Sequence, residues 1–271
     1  LFDTKIKAIK KTSLDPALDS THIFSVLRDR SGNLWYCTNY GLYFKTKGGK
    51  SLRHVVLSTL PGSNVTSNEV TNVFESKKYG IWILTNNGLF LYKPEKDQPE
   101  RYGNDKEKGG VLRSHDINSF YEDNSGIVWV GTWGGGLSRY NPETGEIKSY
   151  TTSDGLPSMS IQGILADEQN NALWLSTFEG ISRFSIKEEQ FNNFSLDDGI
   201  QGRLFADGAY LKTSGGLFIF GGNNGITVFN PDDITKNSIP PRVYITGLKI
   251  GNTTIETSTV SPLKNAQKQM K

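Results

Sequence analysis

The chain has 271 residues, 35% of them hydrophobic, a formal net charge of +2 and one cysteine. That content can bury a sizeable core in one all-β domain. The balanced charge, with no basic stripe, recognition helix or zinc-finger spacing, disfavours nucleic acid, and the lone Cys37 excludes an internal disulfide or a multi-cysteine metal site. No run of 18 apolar residues occurs, so no segment is expected to span or contact a membrane. The chain starts at Leu1 with no secretory leader pattern, which reads as a piece whose targeting information lies elsewhere.

In chain order, residues 1–20 read as the end of a preceding blade and a lead-in, with Lys5–Ile9 loosely alternating. From Ile23 one phrase recurs: Ile23–Phe44, Val70–Tyr92, Ile117–Tyr140, Ile161–Phe184 and a worn copy at Leu217–Phe229. Trp35, Trp82, Trp129, Trp174 and Phe218 anchor the copies at spacings of 47, 47, 45 and 44 residues. A period of this size with several short strands per unit predicts a β-propeller. The third copy offers four strands, Ile117–Glu122, Ile127–Thr132, Leu137–Tyr140 and Glu146–Tyr150, separated by turn residues. No segment carries a helical stripe, so the chain is all-β. The anchoring tryptophans are expected to pack between blades, and Cys37 to be a small buried hydrophobe.

About five four-stranded blades therefore fill residues 21–230, joined by polar connections such as Thr59–Asn68 and Asn104–Arg113. Asp154-Gly155-Leu156-Pro157 and Asp198-Gly199-Ile200 read as one repeated loop phrase. Residues 231–271 change character. Pro231, Pro240 and Pro241 bracket a connector, Arg242–Ile250 reads as a new strand, and Ser261–Lys271 is a polar tail. This stretch is expected to be the truncated beginning of a β-sandwich domain. Five blades could close a ring, but the strand-like fringes at Ile6 and Val243 read as cut ends of a larger, seven-bladed array.

Up-and-down strands place the turn between each blade's second and third strands on the face that receives the loop into the next blade. That rule gathers Tyr40, Asn87, His115, Trp133, Phe178, Glu179, Arg203 and Asn224 around one rim as candidate ligand-binding residues. Flat aromatics beside amides and charges suit a sugar, which has apolar faces and hydroxylated edges. Asparagine and glycine are also what tight turns with positive φ demand. Trp133 differs, because the other copies place Asn39, Asn86, Phe178 or Asn223 in its slot. No catalytic residue, metal site or cofactor is expected. The histidines share no metal-ligand spacing, the carboxylate pairs are sequence neighbours in turns rather than groups facing across a bond, and no nucleophile elbow or phosphate loop occurs. The alternatives are a propeller enzyme, a lyase or glycoside hydrolase built on His115 with Glu69 or Glu179, or a purely structural interaction propeller.

Asp123-Asn124-Ser125-Gly126-Ile127-Val128-Trp129, with Gly131-Thr132 and Gly136-Leu137-Ser138-Arg139, resembles the two-component regulator propeller repeat. Phe220–Ile226, Phe229-Asn230-Pro231 and Pro241–Thr246 resemble the last blade running into the tyrosine-rich sandwich domain of the same sensors. The resemblance covers about residues 23–250. It implies two seven-bladed propellers, a sandwich domain, one membrane span, and kinase and receiver modules. The fragment would be the periplasmic sensor of a hybrid histidine kinase in the inner membrane. It would respond to an oligosaccharide and control glycan-utilisation genes, with the second propeller, the sandwich domain and a second copy of the chain as partners. The chain departs in having five repeats, in replacing the second acidic turn with Glu75–Gly80, and in lacking kinase residues.

Overall fold

The computed structural model describes residues 16–57, 68–93, 95–96, 98–103 and 110–234, with the backbone of residues 2–3, 8–9, 104–105, 248–250 and 253–255. It divides into two compact units, Leu1–Pro231 and Asp232–Lys271. In the second unit, two strands pair antiparallel, Leu248–Ile250 with Thr253–Ile255. Most of the strand expected over Arg242–Ile250 and all of the polar tail lie outside the described residues.

The first unit opens with β1 (Phe2–Asp3) and β2 (Ala8–Ile9), which pair with each other. Five antiparallel sheets follow in a five-bladed propeller arrangement. Blade one holds β3 (Ile23–Arg28), β4 (Leu34–Thr38), β5 (Gly41–Lys45) and β6 (Arg53–Val55). Blade two holds β7 (Val70–Glu75), β8 (Ile81–Thr85), β9 (Gly88–Tyr92) and β10 (Glu100–Tyr102). The connection expected as plain loop after it contains a small hairpin, β11 (Asn104–Asp105) against β12 (Gly110–Val111). Blade three holds β13 (Ile117–Glu122), β14 (Val128–Thr132), β15 (Gly136–Tyr140) and β16 (Ile147–Tyr150). Blade four holds β17 (Ile161–Asp167), β18 (Ala172–Thr177), β19 (Gly180–Ser185) and β20 (Gln190–Phe194). Blade five shows three strands among the described residues rather than four, β21 (Phe205–Lys212), β22 (Phe218–Gly222) and β23 (Gly225–Phe229).

Every strand pair between neighbours in a blade is antiparallel, as short connections allow. The core lies between blades. Trp35 joins the second blade's Val73 and Ile83, Trp82 the third blade's Phe120 and Val130, Trp129 the fourth's Ile164 and Phe184, and Trp174 the fifth's Phe205 and Phe220. Each ring thus packs toward the following blade.

The turn before each tryptophan explains how the second copy keeps the fold without an acidic residue. Asp29 accepts from the Asn33 backbone N–H and from Trp35 Nε1. Asp123 accepts from the Ser125 and Ile127 N–H groups. In blade two Ser76 Oγ accepts from Lys78 and Tyr79 N–H and donates to Glu122 of blade three. Glu122 also accepts from Trp82 Nε1, tying two blades together. In blade four Ala166 stands where Glu122 stood, and Trp129 Nε1 has no partner.

The register corrects one expectation. Thr213 closes the fifth turn on Leu217 as Asp123 closes its own on Ile127. Counting on from these, Ile219, not Phe218, fills the tryptophan slot. The repeated phrase at Asp154 and Asp198 is a capped one-turn 3-10 helix in both places. Asp154 and Asp198 each accept from the backbone N–H of Thr151 or Ser195, and Gly155 and Gly199 end the turns left-handed.

The two outermost faces of the array are open. Val26 is 54% exposed, whereas Val73, Phe120 and Ile164 at the same position in later blades are 3–5% exposed. Ile226 is 65% exposed, whereas Leu42, Leu89, Leu137 and Ile181 are at most 1%. Among the described residues, blades one and five share none of the broad contacts that join consecutive blades.

Cys37 is fully buried, and that burial pushes its thiol up to about 12. A thiolate-selective reagent at pH 8 is therefore expected to leave the folded chain unlabelled and to label it once in urea. Prompt labelling without denaturant would show that β4 is not held in the core.

Candidate functional site

The rim is built by one device used four times. The threonine that ends the second strand donates to the carbonyl of the glycine that opens the third: Thr38 to Gly41, Thr85 to Gly88, Thr132 to Gly136 and Thr177 to Gly180, at 2.7–3.2 Å. The same hydroxyl accepts from the N–H of Tyr40, Asn87 and Glu179. These side chains therefore sit at fixed places on short, tied turns. Positive φ falls on Gly41, Gly88, Gly136, Gly180 and Gly225, not on the asparagines before them. Asn39 serves its turn through its side chain, whose Oδ1 accepts from the His22 N–H, and Asn86 Oδ1 accepts from Asn87 Nδ2.

The turns lie over the strand entries, as the up-and-down rule requires. Trp133 N–H donates to Asp116 O, and Asn223 N–H to Leu204 O. Across blades, Gly134 N–H donates to Ser160 Oγ and Gly180 N–H to Arg203 O, and within blade five Asn224 N–H donates to Gln201 Oε1 at the strand entry.

The eight sequence-selected residues fall into three groups. The largest runs over blades three to five. Trp133, 51% exposed, meets Phe178 edge-on at 4.9 Å between ring centroids and 87° between planes. Beside it Glu179 and Arg203 approach to 3.9 Å, both exposed, a weak pair. Asn224 stands against Gly202, next to Arg203. The second group joins Asn87, whose carbonyl accepts from Arg101 Nη2 at 2.6 Å, to His115. Burial lowers the His115 pKa, and the nearby Arg101 charge lowers it further, so the ring is neutral at pH 7. Tyr40 stands alone on blade one, exposed, its carbonyl meeting His54 Nε2 at 2.9 Å. Among the described residues no cluster of three or more His, Cys, Asp or Glu could hold a metal ion.

Sequence reading missed a second layer just inside this rim. Each inner strand carries a bulge near its start, and Asn118 and Gln162 are the extra residues in β13 and β17. Their side-chain nitrogens are buried without a partner, as are those of His115 and Gln201. Asp116 lies in the same layer. Burial raises its carboxyl pKa, with Glu69 adding to the rise. The signal available in sequence was an amide following the first apolar residue of the inner strand in two successive copies.

Comparison with known proteins fits this architecture. Residues 111–134, which span the entry to blade three and Trp133, match the family described as two component regulator propeller. Histidine kinase P4 of Formosa agariphila is 26% identical over 266 residues, covering 94% of this chain. The chain spans 19% of the length of that relative. The extracellular domain of the hybrid two-component system BT4673 from B. thetaiotaomicron shares the fold at 20% identity and a TM-score of 0.65, over 79% of this chain and 30% of that one. A second such domain, BT3049 of the same organism, aligns at 23% identity and a TM-score of 0.50, over 86% of this chain and 38% of that one. On its repeats, its blades and these likenesses, the chain is a β-propeller, and over residues 111–134 it is similar to the two component regulator propeller family.

Proposed function

We propose that the chain is the ligand-sensing part of the extracytoplasmic region of a hybrid two-component histidine kinase, and that it binds an oligosaccharide on the Trp133 rim. One observation carries the reading. An exposed tryptophan is held edge-on to Phe178 on a short tied turn, with Glu179, Arg203 and Asn224 within the same three-blade stretch. A flat ring beside hydrogen-bonding groups offers the stacking face and edge contacts that a pyranose uses. The open faces of blades one and five support further blades in the longer protein, completing a seven-bladed array, with residues 231–271 leading into a sandwich domain. Phosphotransfer would belong to kinase modules elsewhere in that protein. The region would lie in the periplasm, act as a dimer and govern glycan-utilisation genes.

Of the five tryptophans, Trp133 alone is exposed. Acrylamide quenching of the intrinsic fluorescence therefore reports mainly on Trp133. An oligosaccharide that stacks there is expected to protect it, and Trp133→Ala to weaken calorimetric binding at least about tenfold, the scale of one lost aromatic contact. Binding that persists in Trp133→Ala with unchanged affinity would remove the rim from the account.

A further inference from the structure

The Trp133 turn is tied differently from the other rim turns. In blades one, two and four the second turn residue is bonded back to its own blade. There the Tyr40, Asn87 and Glu179 N–H groups donate to the hydroxyls of Thr38, Thr85 and Thr177 at 3.0–3.1 Å. In blade three the corresponding N–H is that of Gly134, and it donates to Ser160 Oγ of blade four at 3.2 Å. An extra residue makes the difference. Thr132 and the glycine that opens the third strand are four apart here and three apart in the other blades.

The lengthened turn has little stiffness of its own. Gly134, Gly135 and Gly136 follow Trp133, so no side chain after it within the turn braces the indole. Glycine has the most freedom to lose when it is fixed, so what pins such a turn must come from outside it. Larger residues could not replace these glycines. Gly134 and Gly136 sit at φ +74° and +79°, and a β-carbon on Gly135 would come within 2.7 Å of Ser114 Cβ. The outside bonds run from Trp133 N–H to Asp116 O, from Gly136 N–H to Met159 O and from Gly134 N–H to Ser160 Oγ. The first two end on backbone carbonyls; the third ends on a side chain next to the exposed ring.

Ser160 is itself firmly held. It is buried, its N–H donates to Ser158 Oγ at 3.2 Å, and Leu156 and Ile161 on either side of it are buried in the core shared by blades three and four. Phe178, which meets the indole edge-on, also belongs to blade four. Trp133 thus grows from blade three, while the side chains of Ser160 and Phe178 reach it from blade four.

We infer that Ser160 is a positioning residue of the rim: by holding Gly134 N–H it sets the pitch of the Trp133 indole against Phe178, so that the stacking face stands preformed across the seam between blades three and four. The inference rests on the oligosaccharide reading for what the face binds, and on the turn geometry for how the face is held. A ligand that meets a preformed face is spared the ordering of a three-glycine turn.

The test has a spectroscopic arm and a binding arm, both on the full chain. The other four tryptophans are buried, so sub-nanosecond depolarisation of the indole fluorescence reports mainly the local motion of Trp133. Ser160→Ala is expected to raise the amplitude of that fast component at least about twofold, and Ser160→Thr, which keeps the hydroxyl, to bring it back toward the parent value. Gly134 is exposed, so water can take up the freed N–H and the melting temperature is expected to hold. The binding arm is calorimetry with cello-, xylo-, manno- and laminari-hexaose and with chondroitin sulfate and alginate oligosaccharides of similar length. Ser160→Ala is expected to weaken whichever of these the parent binds by about three- to tenfold, the scale of one hydrogen bond. An unchanged fast component in Ser160→Ala overturns the inference whatever the sugars do. Unchanged affinity in Ser160→Ala for a sugar that Trp133→Ala has lost overturns it as well, and leaves the rim reading standing. Binding of no sugar by the parent overturns the oligosaccharide reading, and the fast component then decides by itself whether Ser160 holds the ring.

Discussion

Trp129→Ala is expected to destabilise the chain by about 3–5 kcal/mol, the range for truncating a fully buried tryptophan. The ring is 1% exposed and packs with Tyr150 and Phe184, the latter edge-on at 5.7 Å across the interface to blade four. Its indole N–H has no acceptor, so the loss is one of packing alone. The broad contacts join consecutive blades, so a void at one interface weakens the link between two parts of the array. Trp133→Ala, four residues away at the rim, should change the melting temperature little. Equal damage from the two substitutions would show that the division of core from rim is wrong.

Gly136→Ala is expected to be nearly as harmful, for a backbone reason. Gly136 has φ +79°, and a β-carbon there would come within 2.3 Å of the Tyr150 carbonyl oxygen on the outermost strand of the blade. The left-handed conformation alone costs about 1–2 kcal/mol for a residue with a side chain. The overlap with a fixed carbonyl adds to this, because β16 must move away from β15. The expected outcome is a loss of at least about 2 kcal/mol in denaturant unfolding. Gly134→Ala is the comparison. Its φ of +74° carries the same conformational cost, but the added carbon meets nothing within 4 Å. If the two substitutions cost the same, the close approach of β16 contributes nothing.

Much of the fold was legible because its signals are local. A turn acceptor six or seven residues before a tryptophan, and a threonine three or four before a glycine, mark the same two turns in each of the first four blades. The same logic absorbed the second copy, since Ser76 supplies through one hydroxyl the turn bonds that Asp29 supplies through a carboxylate. The worn fifth copy misled for a physical reason. Among the described residues its slot faces no following blade, and Phe218 beside Ile219 is the buried aromatic. The hairpin of β11 and β12 was missed because its residues alternate in no way that distinguishes strand from loop.

The rim residues could be placed on one face from strand direction alone, but not sorted into the Trp133, His115 and Tyr40 groups, which depends on where side chains reach. The bulge layer was hidden more deeply. A single extra residue resets the two-residue alternation, and at these bulges the side-chain nitrogens of Asn118 and Gln162 are buried.

The measurement that bears most directly on the central claim is a thermal shift of the chain across a panel of plant, host and microbial oligosaccharides. A ligand at about 100 times its dissociation constant stabilises the fold by about 2.7 kcal/mol, a readily visible change. The account predicts a clear shift with one class of oligosaccharide, absent in Trp133→Ala although that variant melts where the parent does. No shift with any glycan, or a shift that Trp133→Ala retains in full, would contradict it.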